Sequence, residues 1–417
     1  FFFFYMAVQR FNLILLFFQG FAIFALSNDF QTGDLAGPPA GQFIFTASGN
    51  TSVLTLDDLV FILRSQHDSY HKSKANTFKK KLKEQVNARS IKGQLAIKML
   101  HEDWAPYGAW TILPIISILD KEYSSSKSWF FFCEDDTNLD LNGILMILNM
   151  YDHTKDFFLG HALQDPQPAI IHHFAFHEDT SKFSFPDFSA GWAISSALLK
   201  RLAKRLNDSP VKTDFSIDVQ HEVAMFIHDG GRGAQLTNVR EFCTLPPGDD
   251  DDCVTSFLDS SASCGEVDMN DLFFAVKTTL KYHKDRVPVI KNTIGQHTSR
   301  VVYYSETVDL SIPTEDTGVP NTESGHCAKL WAIMKNSKVN KKASGKKWLI
   351  VVDDDTILSV PRLRRFLACY DPKERILLGE RYGYGCNAGH GYEYITGGGG
   401  MVLSNEAVDA LLKSDCG

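Results

Sequence analysis

The sequence predicts an α/β protein built from two tandem, related units. Three observations carry this. Two apolar runs that end in adjacent carboxylates share a register 219 residues apart, matching segments lie upstream and downstream of both, and polar stretches of helical character separate the apolar runs. Buried strands alternating with helices imply a largely parallel sheet flanked by helices, with ligands at the carboxyl ends of the strands.

The repeat is countable. Trp129-Phe-Phe-Phe-Cys-Glu-Asp-Asp-Thr137 and Trp348-Leu-Ile-Val-Val-Asp-Asp-Asp-Thr356 open a 32-residue match (129–160 against 348–379) with 10 identities, where average residue usage gives about two. Upstream, Leu59-Val-Phe-Ile-Leu-Arg64 and Tyr70-His-Lys72 mirror Leu272-Phe-Phe-Ala-Val-Lys277 and Tyr282-His-Lys284; downstream, Ala190-Gly-Trp192 mirrors Gly399-Gly-Met401. The expected organisation is a unit at 50–242, a Cys-containing linker at 243–265 and a second unit at 266–417. In each unit a short apolar strand is followed by a polar helix, such as the stretch around Phe78 to Val86, and a second apolar strand then delivers the carboxylates.

Composition narrows the function. The 417 residues suit two or three domains, and 44% apolar with 22% charged residues is globular. The net charge of −8 offers no footprint for a nucleic-acid backbone. After Met6, the apolar stretch Phe11 to Leu26 and Ala25-Leu26-Ser27 read as a signal peptide or an anchor (1–27), which sends the remainder into the secretory lumen; Phe1 to Tyr5 read as sequence upstream of the true start. Asn50-Thr-Ser52 and Asn207-Asp-Ser209 are glycosylation sequons. The eight cysteines lack paired zinc spacings and are expected in disulfides; Cys243, Cys253 and Cys264 bracket the acidic stretch Leu245 to Asp252 of the connector, a solvated linker rather than a calcium site.

The carboxylate turn carries the chemistry. Asp353, Asp354 and Asp355 at one strand end repel one another and lose solvation, which implies a divalent cation; oxygen-only ligands point to Mg²⁺ or Mn²⁺, with a substrate diphosphate as a further ligand. The plain alternative is a polar turn capping the next helix. Downstream, Gly379-Glu-Arg-Tyr-Gly-Tyr-Gly385 and Gly391-Tyr-Glu-Tyr-Ile-Thr-Gly-Gly-Gly-Gly400 interleave glycines with tyrosines. Four consecutive glycines cost backbone entropy, so something is expected to approach the main chain closely, and the tyrosines suit sugar rings. His172-His173, between apolar neighbours, read as a satisfied strand-end pair rather than a metal site.

The segments Phe274 to Thr279, Tyr282 to Arg286, Asp353 to Asp355 and Tyr394 to Met401 resemble the Fringe-type glycosyltransferases (glycosyltransferase family 31). The duplicated layout resembles the branch that extends O-linked fucose on thrombospondin type 1 repeats. The resemblance covers about residues 50–417. It implies tandem GT-A (Rossmann-like) domains and inverting transfer of glucose from UDP-glucose to the fucose 3-hydroxyl. It also implies Mn²⁺ as cofactor, the endoplasmic reticulum lumen as compartment and folded, O-fucosylated repeats as partners. By resemblance, Asp355 ligates the metal, Asp353 and Asp354 contact ribose or donor sugar, Thr278 and Arg286 lie on the donor side, and Gly397, Gly398, Gly399 and Gly400 shape the donor-acceptor floor.

The family's base and a metal-binding His lie downstream of the glycine turn, beyond Gly417. The expectation is therefore a second domain truncated at its C-terminus, a fragment inactive as given, and a catalytic base that is unknown here. In the first unit, Glu134-Asp135-Asp136 replaces the triple Asp, and Trp192 is expected to fill space that glycines leave open, so this copy is expected to be structural or acceptor-binding. The competing functions are a non-catalytic luminal sugar-binding module and a phosphatase-like metal-dependent hydrolase; for the latter, Thr356 follows the carboxylates one place out of register.

Overall fold

The computed structural model describes residues 53–104, 112–167, 172, 180–208, 215–245, 252–258, 263–322, 326–384 and 392–414. The leader at 1–27, the sequon at 50–52, Ser209, 246–251, His173, Gly385, Gly391, Cys386 and Cys416 lie outside them. No helix of the described residues is long and apolar enough to cross a membrane.

In the first unit, β1 (Leu59–Arg64), α1 (Ser69–Arg89), β2 (Ala96–Met99), α2 (Leu113–Tyr123), β3 (Trp129–Glu134) and α3 (Leu141–Leu148) follow one another. Then come β4 (Phe158–Gly160), β5 (Trp192–Ser195), α4 (Ser196–Asp208), α5 (Val219–His228) and β6 (Leu236–Asn238). The sheet order is β6-β4-β5-β3-β1-β2. Only β5 runs against the rest, so the largely parallel sheet expected from the alternation carries one reversed strand.

The second unit repeats this with β7 (Leu272–Lys277), α6 (Val287–Asn292), β8 (Val301–Ser305), β9 (Thr314–Asp316), α7 (His326–Val339) and β10 (Trp348–Asp353). They are followed by α8 (Val360–Leu367), β11 (Leu377–Gly379), β12 (Arg381–Tyr384), β13 (Tyr392–Ile395), β14 (Met401–Ser404) and α9 (Asn405–Leu412). The order β9-β8-β7-β10-β14-β11 places equivalent strands in equivalent positions. Register repeats as well: Leu59 and Trp129 pair as Leu272 and Trp348 do, and Trp129 faces Ser195 as Trp348 faces Ser404. One expectation changes. In both units a short strand, β2 or β8, intervenes before the carboxylate strand; Ala96-Ile-Lys-Met99 is too short and too interrupted by charge to stand out as a run.

The central strands are buried on both faces, which is why they read as unbroken apolar runs. Val60, Ile62, Phe130 and Phe132 pack with α2, α4 and α5, while Leu59, Phe61 and Leu63 pack with α1 and α3. In the second unit Leu272, Phe274 and Val276 meet α6 and α8, and Phe273 and Ala275 meet α7 and α9.

Caps set the helix starts. The Asp68 carboxylate accepts from His71 N at 3.0 Å at the head of α1, and Ser195 Oγ and Ser404 Oγ accept from Leu198 N (3.3 Å) and Ala407 N (3.1 Å) in matching places.

Cys264–Cys369 ties the end of the connector to the second unit, and a second disulfide, Cys243–Cys253, lies at the connector's start. Cys133 is a buried thiol and Cys327 an exposed one. Phe215–Ser216 of the first unit pairs antiparallel with Gly383–Tyr384 of β12, Arg381 donates to Gln66 Oε1 at 3.1 Å, and Tyr370 Oη lies 3.1 Å from His71 Nε2.

Candidate active site at the second carboxylate turn

The reversed strand explains why the two sequence blocks meet. β14 enters the sheet beside β10 in the opposite direction, with Met401 opposite Val351, so the glycine turn at its start sits next to the carboxylates at the end of β10. Gly397 to Gly400 form a tight turn in which Gly400 N donates to Gly397 O at 2.8 Å, and Gly400 has φ +80°. Thr356 Oγ ties the blocks together, donating to Gly398 O at 3.0 Å and accepting from Asp353 N at 3.2 Å. That geometry makes Thr356 a turn residue.

Each aspartate has its own environment. Asp353 Oδ1 is 2.6 Å from Lys277 Nζ. Asp354 is buried and accepts from Thr278 Oγ1 at 2.7 Å and from Arg286 at 3.0 Å. Asp355 has a side chain 57% exposed and accepts from the same Arg286 nitrogen group at 2.7 Å. Arg286 lies 3.7 Å over the Tyr282 ring, and the hydrogen bond to Asp354 raises its pKa further.

Lys329, buried, donates to Thr278 O at 2.8 Å, and burial lowers its pKa. Thr278, Arg286, Asp353, Asp354, Asp355 and the glycine turn are thus brought together. Lys277 and Lys329 were not singled out by sequence reading. Lys277 stood inside the quoted Phe274 to Thr279 segment; Lys329, on α7, had no local signal.

The lysines and arginine alter the argument from repulsion. Three carboxylates crowded at a strand end are here interleaved with Lys277 and Arg286, so repulsion alone does not demand a metal. The glycines are also less open than expected. Gly399 and Gly400 are buried and only Gly398 is exposed; a Cβ on Gly397 would stand 3.3 Å from Lys277 Nζ, and one on Gly398 3.9 Å from Asp353 Oδ2. The close approach at Gly379 is chain on chain, since its Cβ would meet Gly400 O at 2.7 Å.

The first unit closes the same place. Lys74 occupies the Arg286 position and ion-pairs with both Asp135 (2.9 Å) and Asp136, and His71 Nδ1 lies 2.5 Å from Asp135. The Asp136 side chain is only 8% exposed. Phe188 stands where the second unit has Gly397 and is buried beneath Arg64, 5.3 Å from the ring. The expectation for Trp192 is corrected: it stacks on Phe132 (4.0 Å) within the core, as a strand residue must, and Phe188 is the side chain that fills the glycine space. The connector adds a lid, pairing Thr255–Phe257 with Thr137–Leu139 and donating Leu258 N to Asp136 O.

His172 is paired, as expected, but with Asp165 and Asp218 and outside any strand.

Comparison with known proteins agrees with the doubled architecture. The Fringe-like family model matches residues 112–230 and 267–416. The beta-1,3-glucosyltransferase of Mus musculus is 44% identical over 364 residues (87% of this chain, 73% of that protein). The one of Homo sapiens is 45% identical over 365 residues (87% and 72%). Radical fringe beta-1,3-N-acetylglucosaminyltransferase of Notophthalmus viridescens is 26% identical over 178 residues (38% and 43%). A glycosyltransferase involved in glycosylation of the major capsid of PBCV-1 gives a TM-score of 0.29 at 10% identity, covering 48% of this chain and 93% of its own, too remote to bear on the site. With both halves matched and two relatives 44–45% identical over 87% of the chain, the chain belongs to the Fringe-like family of glycosyltransferases.

Proposed function

We propose that the second unit transfers glucose from UDP-glucose to the 3-hydroxyl of O-linked fucose on thrombospondin type 1 repeats, with inversion and with Mn²⁺ or Mg²⁺, in the endoplasmic reticulum lumen. The observation that carries the reading is the contrast between copies: Asp355 at the second carboxylate turn is exposed, and its counterpart Asp136 at the first is buried against Lys74. The names of the two 44–45% identical relatives support glucose as the sugar. The two disulfides fit an oxidising compartment.

The residues present fit the metal. Asp355 offers an exposed carboxylate in an all-oxygen set, and Mg²⁺ or Mn²⁺ typically takes one or two carboxylates and completes its shell with substrate phosphates. Asp355 would hold the ion, which would supply positive charge against a departing diphosphate.

The chain's own groups do the positioning. Lys277 and Thr278 fix Asp353 and Asp354 so that these can accept hydrogen bonds from ribose or sugar hydroxyls. Arg286, held between Asp354 and Asp355 and backed by Tyr282, is placed to turn its remaining N–H groups to a phosphate. Gly398, the exposed glycine beside Asp353, lets a sugar ring lie against the main chain. Tyr382 and Tyr394 of the β12–β13 hairpin pack on each other with ring centroids 6.0 Å apart, and Tyr382 is buried. No described residue is assigned as the base.

The test is calorimetric binding of UDP-glucose with Mn²⁺, beside turnover by the full-length protein on an O-fucosylated repeat with UDP-glucose, UDP-galactose or UDP-N-acetylglucosamine. Glucose transfer that needs Mn²⁺ supports the proposal. Phosphate release marks a hydrolase, and metal-dependent binding without turnover marks a sugar-binding module; either overturns it.

A further inference from the structure

The first unit holds a second cluster of ligand-type side chains, away from both carboxylate turns. Asp165, His172 and His221 each place one donor atom so that the three lie within 4.8 Å of one another. His172 and His221 are 4% and 3% exposed. His172 Nδ1 is 2.5 Å from Asp165 Oδ2, and its Nε2 is 3.1 Å from Asp218 Oδ2. Asp218 is fully enclosed and also caps α5 through its other oxygen, which accepts from Gln220 N at 2.9 Å. The two imidazoles stack at 3.9 Å, walled by Phe183 and Phe185. Among the described residues no group hydrogen-bonds the ring nitrogens of His221.

Two features of this arrangement are unfavourable for a purely structural cluster. Two carboxylates converge on one imidazole in an aromatic pocket, which leaves a negative charge in excess where solvation is poor. A second imidazole, equally buried, is stacked against that charge cluster and makes no ion pair of its own among the described residues. A single divalent ion resolves both. It replaces the proton between Asp165 and His172, balances two carboxylates with two positive charges, and gives His221 a partner.

We propose that Asp165, His172 and His221 form a Zn²⁺ site, with Asp218 as the carboxylate that orients His172. Two imidazoles and one carboxylate are a zinc donor set, and a ligating His that gives its other N–H to a carboxylate is the usual supporting arrangement. Zinc bonds of about 2.0–2.2 Å in a tetrahedron put donor atoms about 3.3–3.5 Å apart, so the cluster tightens around the ion while the Asp165–His172 contact widens. The parallel rings also swing apart, because one ion cannot lie in both planes. The ion pins the segment containing Asp165 and His172 onto α5, whose approach strand Phe215–Ser216 pairs with β12 of the second unit.

The test uses the full chain, stripped with chelator, dialysed and titrated with Zn²⁺ alone, with metal content measured after gel filtration. The expected result is one zinc per chain, retained in Asp355→Asn, and at least about tenfold weaker in His221→Gln and Asp218→Asn. Replacement by Co²⁺ gives intense tetrahedral ligand-field bands that lose intensity in His221→Gln. No retained zinc, or zinc and cobalt spectra indifferent to His221→Gln, overturns the proposal. If Asp218→Asn does not fold, the wild-type cobalt spectrum still decides, since weak octahedral bands also overturn it.

Discussion

At Asp355 and Asp136, equivalent residues in two copies, exposure separates a usable ligand from a structural one. In the full-length protein, Asp355→Asn removes the open carboxylate and should lower turnover at least about 100-fold, with the melting temperature little changed; steady-state kinetics with UDP-glucose and Mn²⁺ beside a thermal scan checks both. The matching pair behaves oppositely. Lys74→Met leaves Asp135 and Asp136 buried beside each other and should cost about 3 kcal/mol in a denaturant titration, because breaking a buried ion pair strands its partner.

Glu380 supplies a pH signature. Burial, and then the charge of Asp218, push its carboxyl up to about 8. The folded state therefore keeps a proton that the unfolded chain gives up above about pH 4.5, and stability falls as pH rises from there to about 8, by up to about 1.4 kcal/mol per unit. Melting curves from pH 5 to 8 should slope downward in the wild type and less steeply in Glu380→Gln, the buried Glu222, pushed up to about 7, supplying part of the remaining slope. The carboxylates themselves were legible in the sequence because an apolar run announces its own end. Lys329 was not, since a cation reaching a carbonyl 51 positions away leaves no local pattern.

The strands were the most readable elements. β1, β3, β7 and β10 are buried on both faces, so selection for apolar side chains is continuous and the run length approximates the strand length. The short β2 is only half-buried, and the connector strand Thr255–Phe257 is held by backbone pairing, which places no demand on residue type. Part of the glycine turn's close approach is chain on chain, since Gly379 and Gly400 face each other. Gly379→Ala should destabilise the second unit by about 1–3 kcal/mol, since Ile395 Cγ2 and Gly400 O would lie 2.4 and 2.7 Å from the new methyl. Urea unfolding followed by near-UV circular dichroism reads this directly.

At the scale of the whole molecule, the duplication was visible in sequence while the interface was not, because contacts such as Arg381 with Gln66 and Tyr370 with His71 join residues some 300 positions apart. Cys264–Cys369 closes a long loop between the connector and α8's exit, and Cys369→Ser should cost about 2–4 kcal/mol and lower the melting temperature by several degrees, an effect that reductant reproduces in the wild type.

The strand Phe215–Ser216 has a consequence for anyone dissecting the molecule. It is the outer neighbour of β12 in a three-stranded ribbon, so a gene fragment beginning at the second copy would present Gly383–Tyr384 as a bare edge. Such an edge recruits strands from other molecules. The isolated half should therefore self-associate in proportion to concentration, which sedimentation of that fragment over a concentration series reads.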